Sequence, residues 1–414
     1  MMLQREMIVS DISDSKKGAL LYMALFSLSM PITLGFYLHD FVMFLLIFFS
    51  LLFVGKVQIS KGVTNYCYVF LILVILPNVL SLLFQVYKTK GLEMSNMYLL
   101  YNAFLSLIYL FFCNCYLLKH LDKKIYFSTI AIVTPLLLSA LILIIPYFKN
   151  SILSLYGVVK EHPFRFGGIW GQDVNQLGYY ATVVMIWSGF VFSHRKINTL
   201  TFAAINVLSI SLIALSGMRT GVIVFLSALM LTSIFSKRNR KIFKWYVYLS
   251  LFSLALMIAT FPIYSPIIDV EPILERFSPS LFYSQLTGSS GDGQLGMMLT
   301  KWIDVFLSVD DVDSILFSVY PDWKYPDSLF LYYIANVGFY GFLSITMFVM
   351  FCLFLTIRYK LYYSTLVAIF LSVVSIKGNF PVNNFSMLIF TLIVLLESKW
   401  IKEIKSDVNQ VQMK

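Results

Sequence analysis

One apolar stretch, IYFSTIAIVTPLLLSALILIIPY at residues 125–147, decides the fold class of this chain. It carries no charged side chain, and its length suits a helix that crosses a bilayer, which needs ~20 apolar residues to span ~30 Å of hydrocarbon. Similar runs recur along the whole sequence, so we predict an all-α fold, a polytopic transmembrane helical bundle of about 12 spans. The predicted spans are 18–38, 41–55, 65–86, 97–118, 125–147, 176–193, 199–216, 220–235, 245–264, 328–356, 361–376 and 381–396.

The composition of the whole chain agrees with this assignment. Of the 414 residues, 59% are hydrophobic and 13% are charged, whereas soluble domains carry about 25% charged residues. This excludes a soluble enzyme, a nucleic-acid binder and a disordered chain. The four cysteines lie in apolar runs without CxxC spacing, and the four histidines do not cluster, so we expect no disulfide, no metal site and no cofactor.

The distribution of charge predicts the orientation. With a cytoplasmic N-terminus, the inner segments hold 21 of the 31 basic residues and 7 of the 21 acidic residues. The strongest basic cluster, Lys237–Lys244, then faces the cytoplasm, as the positive-inside rule requires. The net charge of +10 is therefore a topology signal, with both termini cytoplasmic and no nucleic acid among the partners.

Two predicted outer segments are too long to be simple turns and divide the chain into three regions. Residues 1–264 carry the first nine spans and the first long loop at 148–175, residues 265–327 form the larger loop, and residues 328–414 hold the last three spans and a tail. Loops beyond ~12–15 residues are usually functional. Apolar residues recur at helical spacing over 295–306, so we predict that the larger loop is partly helical, with a helix that either lies on the outer membrane surface or caps the bundle.

The first loop contains HPFRFGGIWGQDVNQLGYY, residues 162–180, in which several side chains are candidates for chemistry. Arg165 offers a fixed cation with forked donors that suit a phosphate, although it also fits an interfacial arginine that reaches towards headgroups. Asp173 and Asn175 are either site residues or caps of the following helix. His162 is a further loop candidate.

A second arginine lies in LSGMRTG, residues 215–221, a tight outer turn between two predicted spans. Arg219 has no acidic residue near it in sequence, and an arginine at the edge of the hydrocarbon suggests an anionic ligand or contact with lipid headgroups. The larger loop adds Arg276 and Asp292, and Asp327 precedes the tenth span. Asp327 suits either a helix cap, its more ordinary role, or a general base.

Taken in order, four outer stretches resemble the motifs of the O-antigen polymerases and O-antigen ligases, which are multi-spanning bacterial membrane glycosyltransferases with a large periplasmic loop. The similarity covers about residues 140–342. The matching stretches are RFGGIWGQDVNQLGYYA (165–181), LSGMRTGVIVF (215–225), SGDGQLGMMLTKW (290–302) and DSLFLYYIANVGFYGF (327–342).

Two departures decide between the branches of that family. Gln294 stands where the family often has arginine, and Asp327 stands where ligases typically carry histidine. Because both replaced residues are associated with the ligase reaction, the resemblance favours a polymerase. It gives no support for a catalytic histidine.

The resemblance implies a GT-C-like bundle in the bacterial inner membrane that polymerises undecaprenyl-diphosphate-linked oligosaccharide repeat units at the periplasmic face. It implies metal-independent glycosyl transfer in which Arg165, Arg219 and Arg276 hold the diphosphate leaving group, and Asp173 or Asp327 takes the acceptor proton. The expected partners are lipid-linked glycans, membrane lipid and a chain-length regulator protein. The alternatives are an O-antigen ligase and a flippase or transporter for lipid-linked glycans.

Overall fold

The computed structural model of the chain describes residues 68–89, 100, 121–145, 166–170, 174–218, 220–264, 329–377, 389–390 and 392–399. All regular secondary structure in these ranges is helical and none of it is strand, which confirms the all-α prediction for this part of the chain. The helices are α1 (Leu76–Thr89), α2 (Leu121–Ile144), α3 (Val174–Ser193), α4 (Thr199–Ser216), α5 (Thr220–Phe235), α6 (Lys237–Tyr264), α7 (Leu329–Arg358) and α8 (Tyr362–Lys377). A π-helical turn, Leu71–Ile75, runs directly into α1, and a 3-10 turn, Gly168–Trp170, precedes α3.

Three segments of these helices are long and apolar enough to cross a membrane: Ile125–Ile144, Thr199–Ser216 and Val337–Arg358. Large apolar side chains such as Leu251 and Met347 are exposed, at 61% and 58%, as suits a surface in contact with lipid. A bundle of 12 spans is not established by the described residues. The predicted runs 18–38 and 41–55 lie outside them, and so does the run 97–118 apart from residue 100.

The described helices fall into two compact units. The first contains α2, the 3-10 turn, α3, α4 and α6, and its centre is α3, which is buried along almost its whole length after the first turn. Polar side chains of α3 find partners on its neighbours: the indole of Trp187 donates to Thr129 Oγ1 at 3.1 Å, and the amide of Asn206 donates to Ser188 Oγ at 3.0 Å. Such bonds satisfy polar groups that would otherwise be stranded in an apolar interior.

The second unit contains α1, α7, α8, most of α5 and the C-terminal helical residues 392–399. Its core includes an aromatic pair: Phe70 meets Phe348 edge to face, with ring centroids 5.4 Å apart. A buried carboxylate joins the last helical residues to α8, because Glu397 accepts hydrogen bonds from the amides of Tyr363 and Ser364 at 3.0 and 2.8 Å and from Ser364 Oγ at 2.6 Å. A negative charge thus caps the positive N-terminal end of α8.

We expect Glu397→Ala to destabilise the protein by about 3 kcal/mol, since it leaves two buried helix-end amides without their acceptor. Glu397→Gln keeps one carbonyl acceptor and should lose less. Thermal unfolding in detergent measures both, with Ser364→Ala as the control because it removes one hydroxyl donor and leaves the backbone bonds in place. Equal stability of Glu397→Ala and the wild type would contradict this role.

Two helices end on basic residues in the left-handed conformation. Arg195 has φ 58° after α3, where Lys196 N donates to Val191 O at 3.0 Å, and Lys360 has φ 54° after α7. Both ends have the hydrogen-bond pattern of a Schellman cap, a position that usually holds glycine. Glycine does hold the corresponding position after α4, at Gly217.

A neutral histidine lies beside the first of these caps. His194 Nε2 lies 2.8 Å from an Arg238 guanidinium nitrogen and Nδ1 lies 2.9 Å from Phe190 O, so the arginine donates to Nε2 and Nδ1 carries the proton. Burial lowers the pKa of His194 from 6.5 to about 4; the bond to Phe190 O opposes this change, and the charges of Arg238 and Lys196 add to it.

Because the pKa of His194 is lower in the folded than in the unfolded chain, the unfolded chain binds more protons between pH 6.5 and 4. The contribution of neutral His194 to the free energy of unfolding is fully present above about pH 6.5 and should be lost as the pH falls towards 4. We expect His194→Gln to flatten this part of the dependence of Tm on pH, measured from pH 7.5 to 4.5. Parallel Tm profiles for variant and wild type would exclude the effect.

Candidate active site

The turn that follows Arg165 is tied to two helices of the first unit. Phe166 N donates to Leu215 O near the end of α4 at 3.2 Å, and Ile169 N donates to Ser139 Oγ of α2 at 3.3 Å. Gly168 has φ +56°, a conformation that favours glycine, and a Cβ there would collide with Ser139. The backbone of this turn is therefore fixed from both ends.

The second arginine-bearing stretch packs directly on the first through Met218, the residue before Arg219. Met218 is buried, at 5% exposure, and its side chain lies against two glycines, Gly178 of α3 and Gly221 of α5. A Cβ at either glycine would collide with it. The glycines of the two motifs thus allow close helix packing, so the described residues that follow Arg165 and those that flank Arg219 form one packed assembly.

An aromatic pair completes the described part of this region. The ring centroids of Trp170 and Tyr180 are 5.1 Å apart, and the hydroxyl of Tyr180 donates to Ile132 O of α2 at 2.8 Å. Trp170 is half-buried while Tyr180 is buried. The indole therefore rests on a side chain that is itself fixed.

Of the predicted site residues, Asn175 is the one that the structure describes. It is the second residue of α3 and is exposed, so it lies inside the first helical turn rather than at the capping position before Val174. A role for Asn175 in the site stays a prediction. The remaining candidates lie outside the described residues: Arg165, Arg219, Arg276, Asp173, Asp327, His162 and Asp292.

Helix α7 begins at Leu329, within the fourth motif-like stretch (327–342), and its helical backbone is interrupted before that stretch ends. Gly338 has φ 83° and ψ −176°, so the helical backbone is interrupted within the predicted tenth span. Asn78, at 1% exposure, approaches Tyr333 of α7, and its Nδ2 donates to Val74 O of the π-helical turn at 2.6 Å. Both units thus have buried polar side chains beside a motif-like stretch.

No cluster of three or more metal-ligating side chains occurs within the ranges that the structure describes. In the region around Met218, the described residues supply backbone amides, glycines and aromatic rings. The first amides and the positive dipole end of α5 directly follow Arg219, since α5 begins at Thr220. A helix N-terminus next to an arginine is a favourable setting for a phosphate group.

Comparison with known proteins places the chain in no family: no protein-family model, no characterised protein and no solved structure matches it.

Sequence reasoning did not single out Met218, Ser139 or Trp170. Met218 and Trp170 stand inside the quoted stretches, as do their partners Gly178, Gly221 and Tyr180, but the sequence does not show which of these residues meet. The sequence offered one indication for Trp170: it is an aromatic residue between Gly168 and Gly171 and close to the charged residue Asp173. No local pattern indicated Ser139, because its contact with the turn comes from 30 residues away in sequence.

Proposed function

We propose that this protein polymerises undecaprenyl-diphosphate-linked oligosaccharide repeat units at the periplasmic face of the bacterial inner membrane. The observation that carries the proposal is the packing of the two arginine-bearing stretches. The Phe166–Leu215 hydrogen bond and the contact of Met218 with Gly178 join the backbone next to Arg165 to the backbone next to Arg219. Because the backbone beside each arginine belongs to one packed assembly, both side chains can bind the same diphosphate.

The chemistry is a metal-independent glycosyl transfer. The hydroxyl of the acceptor sugar attacks the anomeric carbon of the growing glycan, the bond to the lipid diphosphate breaks, and the diphosphate leaves with the negative charge. Arg165 and Arg219, joined by Arg276, stabilise this charge through bidentate hydrogen bonds, and the N-terminus of α5 adds its dipole. Asp173 or Asp327 accepts the proton of the acceptor hydroxyl. No nucleotide is needed, because the lipid diphosphate already activates the donor.

The proposed architecture is a GT-C-like bundle of about 12 spans with both termini cytoplasmic and a large loop at the outer face. Lipid tails would enter laterally between helices, and a chain-length regulator would act beside the bundle. The exposed apolar side chains on the described helices support a lipid environment.

Reconstitution tests the reaction directly. Purified protein in proteoliposomes is supplied with the undecaprenyl-diphosphate-linked repeat unit, and the products are separated by size. We expect a ladder of polymerised chains that persists in EDTA. A product that appears only after a lipid A core acceptor is added would instead identify a ligase. Movement of the lipid-linked unit across the bilayer with no new glycosidic bond would identify a flippase.

A further inference from the structure

Trp170 is a half-buried aromatic residue on a turn whose backbone is held at several points. Its own amide donates to Gly167 O at 3.0 Å, the preceding amide donates to Ser139 Oγ, and the turn begins with the bond from Phe166 to Leu215. The chain therefore presents the indole from a fixed backbone. This differs from an aromatic residue on a loose loop, which would lose conformational entropy on binding.

The ring of Trp170 is supported from one side. Tyr180 lies 5.1 Å away, centroid to centroid, with the rings tilted by 41°, and its hydroxyl bond to α2 holds the tyrosine in place. Trp170 nevertheless keeps part of its surface exposed. The partly exposed ring of Trp170, packed on the buried ring of Tyr180, is therefore a preorganised contact site.

The ligand chemistry follows from the electrostatics of the ring. The face of an indole is negative, and the C–H groups on one face of a pyranose ring are weakly positive and apolar, so the two surfaces are complementary. Trp170 lies between Arg165 and Asp173 in the chain, close in sequence to the groups proposed to act on the glycosyl diphosphate. We propose that Trp170 is the stacking platform for a sugar ring of the lipid-linked glycan, an inference that rests on the proposed function.

Two binding measurements test the platform. The probes are undecaprenyl diphosphate without sugar and the same lipid carrying the repeat unit, each titrated against the purified protein in nanodiscs. We expect Trp170→Ala to weaken binding of the glycan-bearing lipid about tenfold and to leave binding of the bare lipid unchanged, while Trp170→Phe loses only about two- to threefold. The matched control is Trp245→Ala, since Trp245 is also half-buried and packs edge-on against another ring, that of Phe192, in the same unit. It should change neither affinity.

Each outcome decides the proposal. Equal weakening of both lipids by Trp170→Ala would show that the indole only supports the fold, and no change in either would show that it does not contact the sugar. Either result overturns the platform while leaving the polymerase intact if the wild type still forms a ladder. Conversely, selective loss of glycan binding in a protein that forms no ladder would support the platform and reject the polymerase.

Discussion

Replacing Arg165 by alanine, and separately Arg219, is expected to abolish the ladder of long glycan chains while the protein is still made and inserted. Removal of one preorganised donor from a developing negative charge typically lowers kcat by ~10²–10³. Arg165→Lys and Arg219→Lys should recover only part of the activity, because lysine keeps the charge and loses the bidentate geometry. Polymerisation in proteoliposomes gives the rate, and immunoblotting gives the amount of protein.

The double variant adds a sharper test. If both arginines hold one diphosphate, Arg165→Ala combined with Arg219→Ala should cost less than the product of the two single effects, since residues that act as a unit are not additive. Arg358→Ala is the matched control: Arg358 is exposed at the predicted inner end of α7, with its guanidinium carbon 5.8 Å from the Phe354 ring centroid. A normal ladder in both single variants would rule out the diphosphate clamp.

The second large effect is expected from Gly178→Ala. Helix propensity alone predicts that alanine stabilises α3 by up to ~1 kcal/mol. The contact with Met218 predicts the opposite, because a Cβ at this position would overlap the Met218 side chain as far in as its own Cβ. Overpacking of this kind costs about 1–3 kcal/mol. It also displaces the residue that directly precedes Arg219, so activity should fall more steeply than stability.

A second substitution separates these causes. Met218→Ala alone leaves a cavity and should destabilise the protein. In the double variant, however, the added Cβ at residue 178 no longer meets the Met218 side chain. The double variant should therefore have the Tm and the polymerisation of Met218→Ala, without a further loss from Gly178→Ala. The measurement is a double-mutant cycle on Tm and on chain length. Additive losses in the double variant would show that Gly178 and Met218 do not contact each other in the working protein.

The helical fold was predictable because the length of each apolar run in the sequence indicates a helix long enough to cross a membrane. The run at 199–216 coincides with α4, residue for residue, whereas α6 begins at Lys237 and the predicted run begins only at 245. The difference arises because lysine and arginine are good helix formers, so a helix continues through charged residues that hydropathy excludes from a span.

The site was less predictable. The sequence indicates which residue types lie at the outer face, but the contacts of Met218 with Gly178 and of Ile169 with Ser139 depend on how separate helices pack. Gly168, Gly178 and Gly221 let other parts of the protein approach their backbone closely, and nothing in the local sequence shows which side chains those are.

The two basic left-handed caps have a consequence for how the protein is made. A left-handed conformation costs an L-residue about 1–2 kcal/mol that glycine avoids, so the folded protein would be at least as stable with glycine at Arg195 and Lys360. Under the predicted orientation both residues end spans at the cytoplasmic side, where positive charge directs insertion. That charge acts on a nascent chain before any cap has formed. Under the predicted orientation, we therefore expect the charge of Arg195 and Lys360 to matter during membrane insertion, and their backbone geometry only once the helices have formed.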